Sequence, residues 1–288
     1  MSLHLGTFGA WLNPLHDDDA RTKYAVEAEA LGYGAAWLGF GTQHIEDLAL
    51  VERILEATST ITVATAIVNM WINDATAIAK SYRRIRAAHG DRLLLGIGIG
   101  HPESVRTYRK PYDKMVDYLD ELDDGGVPGD RRILAALGPR ALELAAARTA
   151  GSHPYLVVAD HTRTAREILG QNRILAPEQK VVLDSDADAA RAIGRPFIQH
   201  PYLGLTNYVS NLRRHGYTEQ DVADGGSDRL IDALSLHGTP EAIAAGLTAH
   251  LDAGADHVGI QVLTAGTDSP MPGFRELAEV LFGRANST

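Results

Sequence analysis

The sequence predicts an α/β fold, a (β/α)₈ barrel formed by a single domain over residues 1–288. Three observations lead to this prediction. Eight short apolar runs are present, and most are continuous rather than alternating, as expected for strands buried on both faces. Stretches with helical periodicity separate these runs, and regular alternation of strands and helices is typical of a parallel sheet. Eight such units in 288 residues fit a closed barrel better than an open doubly wound sheet.

The predicted elements extend over the whole chain. The strands cover Leu3–Phe8, Ala35–Phe40, Ile61–Val68, Arg92–Ile99, Arg132–Leu137, Pro154–Val158, Lys180–Leu183 and His257–Leu263. The clearest helices cover Asp17–Leu31, Asp74–Ala88, Thr162–Leu169 and Thr239–Ala253. An Asp cluster suits the start of the first helix, and glycines follow the first and last of them. The wide gap between Leu183 and His257 predicts a helical excursion over the barrel mouth, between strands seven and eight, with a helix near Arg229–Leu236.

Composition narrows the class of protein. The formal net charge is −10 and the basic residues form no long run, so a nucleic-acid partner is not expected. Cysteine is absent, which excludes disulfides, thiolate metal sites and cysteine nucleophiles. No apolar run reaches the roughly 18 residues that span a bilayer, and the N-terminus lacks the features of a signal peptide. We therefore expect no membrane partner and a cytoplasmic location.

Barrel enzymes carry their chemistry at the carboxyl ends of the strands. Strand three is predicted to end in Ala66–Trp71, where the polar Asn69 follows an apolar run. Its amide is able to bond the edge of a ligand ring. Equally, Asn69 is able to cap the chain before the helix that starts near Asp74.

Strand four is predicted to end in Gly96–Pro102, with glycine at every second position up to Gly100. Without a Cβ at these positions, a flat ligand is able to approach the backbone. The third glycine of a dinucleotide-binding loop is missing, so a Rossmann motif is rejected. His101 follows, and its side chain either transfers a proton near neutral pH or is bonded to a loop carbonyl.

Strand five runs into a helix through Gly138 and Pro139. Gly followed by Pro at a helix start exposes backbone N–H groups and the positive end of the helix dipole, which suits an anion or a phosphate. An ordinary strand-to-helix turn has the same sequence. His44, Glu46 and Asp47 have the density of a metal site, but no second cluster supports them, so no metal is predicted.

Taken in order, several segments of the chain resemble the bacterial-luciferase-like family of flavin- and deazaflavin-dependent oxidoreductases, above all its coenzyme F420-dependent subgroup. The matching segments are Leu31–Trp37, Ala64–Trp71, Gly90–Gly98 with His101, Ala135–Arg140, Gly225–Leu230 and Ala253–Val258. These segments cover the chain almost from end to end. They indicate the family and leave the substrate open.

The resemblance implies a cofactor site in the barrel mouth. The ring would lie against a bulge in strand three, which in the family holds a non-proline cis peptide, here Ala66–Ile67. Asn69 would bond the ring edge, and His101 would manage a proton near the hydride-bearing carbon, so both are predicted as catalytic. The predicted cofactor-binding residues are Ala66, Ile67, Asn69, Gly98, Ile99, Gly100, His101, Ala136, Leu137, Gly138 and Pro139, the last three beside the phosphate.

The resemblance also implies the activity and its alternatives. We expect an F420-dependent oxidoreductase that transfers hydride between the deazaflavin C5 and a small organic substrate, either an activated C=C bond or a C=O/alcohol pair. Relatives that oxidise alcohols carry an Asp-His or similar pair after strand two, where this chain has Gly39-Phe40-Gly41. The alternatives are an FMN-dependent monooxygenase, a non-catalytic cofactor-binding protein and an unrelated metal-dependent barrel hydrolase. Family members commonly pair, so a homodimer is expected.

Overall fold

The protein is described by a computed structural model over residues 3–41, 43–45, 47–100 and 110–283. Strands β1–β11 cover Phe8–Leu12, Ala35–Gly39, Thr62–Ala66, Val68–Asn69, Leu93–Gly98, Arg132–Leu134, Gly151–Ser152, Ile174–Leu175, Glu178–Val182, Ser235–His237 and Val258–Val262. Helices α1–α12 cover Asp18–Leu31, Ala49–Ala57, Ala75–His89, Pro111–Asp124, Pro139–Arg148, Ala159–Leu169, Ala187–Gln199, Thr206–Arg214, Glu219–Val222, Asp228–Leu234, Pro240–Asp252 and Met271–Phe282.

Parallel pairing joins the strands into a curled sheet with the order β10-β9-β11-β1-β2-β3-β5-β6-β7-β8, and β4 pairs with β5. The two ends of this order meet along the chain, because β8 pairs with β7 and continues through Ala176 and Pro177 into β9, which pairs with β11. The sheet thereby closes into the predicted (β/α)₈ barrel. Between β9 and β11 the chain forms α7 to α11, which confirms the predicted helical excursion.

The first and sixth strands lie elsewhere than predicted. The predicted strand Leu3–Phe8 overlaps β1 only at Phe8. Gly6 has a φ of 65°, which interrupts an extended backbone, so the strand begins after it and covers Phe8–Leu12. The run Pro154–Val158 likewise follows β7 at Gly151–Ser152. Pro154 has no N–H for a strand ladder, and Leu156 has a φ of 56°.

The predicted ends of helix α1 are confirmed. The side chain of Asp17 accepts a hydrogen bond from the backbone N–H of Ala20 at 2.8 Å, and Gly32 ends the helix with a φ of 100°. Asp74 and Thr239 cap α3 and α11 in the same way. Capping of this kind satisfies N–H groups that the first turn of a helix leaves unpaired.

A bulge separates β3 from β4 along the third barrel strand. Ala64 pairs with Leu94 and Val68 pairs with Ile97, so four residue steps on this strand face three steps on β5. One extra residue is therefore accommodated, which defines a β-bulge. The bulge presses the carbonyl of Thr65 against Gly96, where a Cβ atom would overlap the carbonyl oxygen.

The buried side chains form two layers. Inside the barrel the cluster around Trp37 includes Ala64, Leu94 and Ile133, and a larger cluster lies between the strands and the surrounding helices. Because the strands bury side chains on both sides, their sequences are continuous apolar runs. Among the described helices none is both long and apolar enough to cross a membrane.

Replacement of Gly96 by Ala tests the contact at the bulge. We expect Gly96→Ala to lower the free energy of unfolding by about 3 kcal/mol, because the backbone of Thr65 has no room to move away from the new methyl group. Urea denaturation measures the effect. Gly204→Ala is the matched control, since a Cβ at Gly204 meets nothing within 4 Å. Equal stability of the two variants would contradict the close approach.

Candidate active site

A cavity of about 670 Å³ opens at the carboxyl ends of the barrel strands. Its described lining comes from the ends of most strands and from the excursion that carries α7 and α8. It includes Trp11 on β1, Ala66 and Ile67 at the bulge, Gly100 after β5, His153 after β7 and Gln261 on β11. The cavity therefore lies where barrel enzymes place their chemistry.

The bulge forms one side of this cavity. The peptide bond between Ala66 and Ile67 is cis, which agrees with the bond implied by the family resemblance. Asn69 follows at the end of β4 and is 4% exposed. The bulge therefore brings three of the predicted cofactor-binding residues together at one place on the cavity surface.

Asn69 also organises the chain that follows it. Its Oδ1 accepts a hydrogen bond from the backbone N–H of Trp71 at 2.9 Å, and its backbone carbonyl accepts one from the Asn73 side chain at 3.0 Å. Asp74, not Asn69, caps helix α3. Because the oxygen of the Asn69 amide is engaged locally, the nitrogen is the group that faces Gly100, where a Cβ would overlap it.

The alternating glycines after β5 have separate roles. Gly96 lies against the Thr65 backbone and contacts no cavity. Gly98 lies behind the cavity, since a Cβ there would be 3.1 Å from Ile67 Cδ1 and 3.1 Å from Ala135 Cβ. Ile99 and Gly100 line the cavity directly. Gly98 thus contacts two residues that line the cavity, and its predicted contact with the cofactor stays a prediction.

The start of α5 completes this side. Ala136, Leu137 and Gly138 line the cavity, whereas Pro139 is the first residue of the helix and does not. Gly138 is the N-cap and has no side chain to satisfy the first N–H groups. A Cβ at Gly138 would meet nothing within 4 Å, so space is open beside it. The helix start therefore presents unsatisfied N–H groups next to the cavity.

We call this side the cofactor wall, defined by Ala66, Ile67, Asn69, Ile99, Gly100, Ala136, Leu137 and Gly138. The structure brings eight of the eleven predicted cofactor-binding residues onto it. Gly98 and Pro139 lie behind it, and His101 lies outside the described residues. The catalytic role of His101, and the binding roles of the others, stay predictions.

The end of strand two is occupied by a tryptophan from strand one. A Cβ at Gly39 would overlap the ring of Trp11 and would lie 2.9 Å from Pro14 Cδ. According to the family resemblance, relatives that oxidise alcohols carry an acid–base pair at this position. Here the indole fills it, and the missing side chain at Gly39 is what makes room for the indole.

A second part of the cavity lining was not predicted from the sequence. Its aromatic residues are Tyr155 after β7 and Tyr202 and Tyr208 in the excursion, and Trp11 packs against Tyr155 with 5.6 Å between ring centroids. We call these four residues the tyrosine wall. No motif marks them, because they lie on separate segments with no common spacing. The only sequence feature that could have indicated this wall is the concentration of tyrosine between residues 202 and 217.

The hydroxyl groups of the tyrosine wall are linked. Tyr155 donates a hydrogen bond to Gln261 Oε1 at 3.1 Å, and a side-chain hydrogen bond joins Tyr202 to Tyr155. Burial raises the pKa of Tyr202 to about 12 and raises the pKa values of Tyr155 and Tyr208 well above their usual range. The three phenols are therefore uncharged hydrogen-bond donors at neutral pH.

An acid and a base are buried directly behind this wall. Glu178 and Lys180 are fully buried and lie 3.0 Å apart. The backbone N–H of Leu156 donates to the same carboxylate at 3.1 Å, and the Lys180 ammonium lies 3.9 Å from the ring centroid of Tyr155. Burial raises the pKa of Glu178 and lowers the pKa of Lys180, so the pair has no net charge either as two ions or as two neutral groups.

His153 lines the cavity from the barrel interior. Its ring stacks on Trp37 at 4.0 Å with an interplanar angle of 9°, and its Nδ1 donates to the carbonyl of Ala176 at 2.6 Å. Nε2 is buried without a partner among the described residues. Trp37 Nε1 in turn donates to His257 Nε2 at 2.9 Å, and His257 Nδ1 donates to the carbonyl of Gly6 at 2.7 Å. Both histidines are therefore neutral.

These features define the class of protein: a (β/α)₈-barrel enzyme with a deep cavity at the strand ends, bounded by a bulge, a helix start and an aromatic wall. Comparison with known proteins agrees with this class. Residues 3–124 match the model of the family described as luciferase-like monooxygenase. A 5,10-methylenetetrahydromethanopterin reductase of Methanolobus tindarius is 24% identical, with 96% of this chain and 98% of the relative covered.

Two solved structures share the fold at low sequence identity. An F420-dependent secondary alcohol dehydrogenase in complex with an F420–acetone adduct is 13% identical, with 99% of this chain and 100% of the other covered and a TM-score of 0.75. The oxygenating constituent of 3,6-diketocamphane monooxygenase from Pseudomonas putida, in complex with FMN, is 15% identical, with 95% and 96% covered and a TM-score of 0.69. Residues 3–124 thus resemble the luciferase-like family, and almost the whole chain shares the fold of these two oxidoreductases.

The buried histidines predict how stability depends on pH. Burial lowers the pKa of His153 to about 3, against 6.5 for an unperturbed histidine. The unfolded chain therefore binds a proton that the folded chain does not between these pH values, and stability falls as the pH falls through this range. His153 contributes a slope of roughly 1.4 kcal/mol per pH unit.

We expect the His153→Gln variant to lose this part of the slope. Urea denaturation of both proteins at several pH values between the two pKa values measures it. The absolute stability of the variant changes as well, because the stacking on Trp37 is lost, but the slope reports the proton alone. Equal slopes for the two proteins would show that His153 is protonated in the folded chain.

Proposed function

We propose that the protein is an oxidoreductase that transfers hydride between coenzyme F420 and a small organic substrate. The observation that carries this proposal is the cofactor wall: a flat surface at the strand-three bulge that continues into the open start of α5. The wall fits a flat ring joined to a phosphate-bearing tail. The family resemblance assigns the same two parts to this cofactor.

The ring part of the fit depends on the absence of side chains. Ala66 and Gly100 leave room because their side chains are small or absent, Ile67 adds an apolar contact, and the Asn69 amide adds a polar group beside them. Because Gly100 has no Cβ, the amide nitrogen of Asn69 lies directly beside its backbone. A flat heteroaromatic ring with polar edges is the chemical class that such a surface binds.

The tail part of the fit depends on helix α5. Leu137 and Gly138 line the cavity at the start of a ten-residue helix, and the N-cap provides no side chain. Unsatisfied N–H groups and the positive end of the helix dipole stabilise a phosphate at such a place. The carboxylate-rich surface of a chain with a net charge of −10 makes a local device of this kind necessary for an anionic cofactor.

When bound, the deazaflavin supplies a carbon that accepts or gives a hydride. The protein would hold the ring against the bulge, exclude water and manage the accompanying proton. His101 is the residue proposed for that proton, on the basis of the family resemblance. Trp11 in place of an acid–base pair favours reduction of an activated C=C or C=O bond over alcohol oxidation.

The compared structures include both cofactors. The solved structure bound to an F420 adduct overlaps this chain at a TM-score of 0.75, and the structure with FMN overlaps at 0.69. The FMN relative keeps a luciferase-type monooxygenase as the second candidate. A protein that binds the cofactor without catalysis is the third.

A binding titration tests the cofactor. We expect purified apo-protein to bind the deazaflavin more tightly than FMN, as measured by changes in cofactor fluorescence. The Gly138→Leu variant should weaken deazaflavin binding by about tenfold or more, because the new side chain enters the open space at the helix start. Gly204→Leu is the matched control, since a Cβ at Gly204 also meets nothing within 4 Å but lies away from the cavity.

Three results would redirect the proposal. Tight FMN binding without deazaflavin binding, together with oxygen consumption in the presence of reduced FMN, supports the monooxygenase. Unchanged deazaflavin affinity in Gly138→Leu removes the helix start from the site. Deazaflavin binding without any turnover of unsaturated ketones supports the non-catalytic protein.

His101→Ala tests the predicted proton transfer. We expect this variant to keep its affinity for the deazaflavin and to lose turnover by about 100-fold, the lower range for removal of a general acid or base. Steady-state rates of deazaflavin oxidation measure the loss. Unchanged turnover would remove His101 from the mechanism.

A further inference from the structure

We infer that the substrate is an uncharged, largely apolar carbonyl compound that binds between the cofactor wall and the tyrosine wall. This inference rests on the proposed hydride transfer and adds the substrate class to it. It is carried by three properties of the cavity: the charges of its lining, the geometry of its aromatic rings and the direction of its hydrogen bonds.

The described lining contains no charged side chain. Its polar groups are amides, phenols, an indole and histidines, and they belong to Trp11, Asn13, Asn69, His153, Tyr155, His200, Tyr202, Asn207, Tyr208 and Gln261. Away from the start of α5, a carboxylate or phosphate beside these groups would lose its water and find no counter-ion among the described residues, which costs several kcal/mol in practice. Neutral molecules avoid this cost, so the described part of the lining selects against ions.

The charges behind the tyrosine wall do not alter this selection. Lys180 lies 3.9 Å from the Tyr155 ring centroid, yet Glu178 lies 3.0 Å from the ammonium and faces the same wall. Because the pair is neutral as a unit, its field in the cavity falls off faster than that of a single cation. Neither residue lines the cavity.

The rings of the tyrosine wall form a continuous apolar surface. Centroid distances are 5.6 Å from Trp11 to Tyr155, 5.4 Å from Tyr155 to Tyr202 and 4.9 Å from Tyr202 to Tyr208. Aromatic pairs stabilise one another over this range of distances. Neighbouring rings are tilted by 43°, 47° and 69°, so this side is apolar without being flat. An apolar substrate contacts these rings on one side and the cofactor on the other.

Two hydrogen-bond donors at the tyrosine wall are suited to a carbonyl oxygen. The chain of hydrogen bonds runs from Tyr202 through Tyr155 to Gln261 Oε1, so the amide nitrogen of Gln261 remains as a donor. Trp11 Nε1–H is buried and has no partner among the described residues. An unpartnered donor beside the cavity is satisfied when a ligand brings an acceptor.

The reaction that follows is the reduction of a C=C bond conjugated to the carbonyl. Hydride from the reduced deazaflavin, which is the two-electron donor, forms a C–H bond at the β carbon while the C=C π bond breaks. The electron pair moves toward the carbonyl oxygen, where the donors of the tyrosine wall stabilise the developing charge. A proton from solvent adds at the α carbon, and the saturated ketone leaves.

Paired probes test the substrate class. The probes are 4-phenylbut-3-en-2-one, a flat neutral enone, and the same molecule with a para carboxylate. Their affinities for the deazaflavin-loaded protein are measured by saturation-transfer NMR, and their reduction by loss of reduced-deazaflavin absorbance. We expect the neutral enone to bind at least about tenfold more tightly. Equal or tighter binding of the carboxylate, or no binding of the neutral enone, would overturn the inference.

The two readouts separate this inference from the proposed function. Binding of the neutral enone without hydride transfer contradicts the proposed function and supports the substrate class. Reduction of the carboxylate alone supports the proposed function and overturns the substrate class.

A positive charge introduced into the cavity lining tests whether charge controls the selection between the two probes. Asn207 lines the cavity from α8 and is exposed, so the chain tolerates a longer side chain there. Asn207→Lys should shift the ratio of the two affinities toward the carboxylate by about tenfold, and Asn207→Gln should leave the ratio as it is. An unchanged ratio in Asn207→Lys would show that charge does not control selection.

Removal of one donor tests this step. Trp11→Phe removes the unpartnered indole N–H and should weaken the enone by about threefold to tenfold, the size of one hydrogen bond, and should weaken β-methylstyrene, which lacks the carbonyl, by less. Equal losses for both compounds would mean that the indole acts through packing and does not donate to the carbonyl.

Discussion

The close contact between the third barrel strand and β5 is the constraint on which the site depends. Four residue steps on one strand face three on the other, so the chain bulges between Ala64 and Val68. The bulge is possible only because Gly96 has no side chain where the Thr65 carbonyl lies. It directs Ala66, Ile67 and Asn69 to the cavity surface, and the cofactor wall is built on it. A one-residue irregularity in a regular barrel thereby creates the binding surface, a common use of β-bulges near active sites.

Electrostatic neutrality unites the two sides of the cavity. Burial keeps His153 and the phenols of the tyrosine wall uncharged, and Glu178 neutralises Lys180 behind them. For the proposed cofactor, the start of α5 would hold the phosphate in place of a lysine or arginine. Bound in this way, the cofactor would have its charged tail at the helix start and its reacting end in a low-dielectric environment. Hydrogen bonds there are stronger than in water, and an unpaired charge is expensive.

Local backbone geometry explains the errors in the predicted elements. Runs such as Leu3–Phe8 and Pro154–Val158 have the apolar composition of strands, and composition alone was the basis for their assignment. Gly6 and Leu156 adopt positive φ values that end an extended backbone, and positive φ at a leucine has no reliable mark in the sequence. Helix ends were placed more accurately, because residues such as Asp17 and Gly32 have side-chain or conformational reasons to be there.

The sequence by itself determined the barrel, the excursion before the last strand and the segments that form the cofactor wall. These features depend on apolar periodicity and on glycine, proline and capping residues, which act over a few neighbouring positions. The tertiary structure alone decided the tyrosine wall, the filling of the strand-two end by Trp11 and the neutral pair behind Tyr155. Tyr155 and Gln261 are 106 positions apart, yet their side chains lie 3.1 Å from each other. Contacts of this kind arise from closure of the barrel and leave no repeating pattern along the chain.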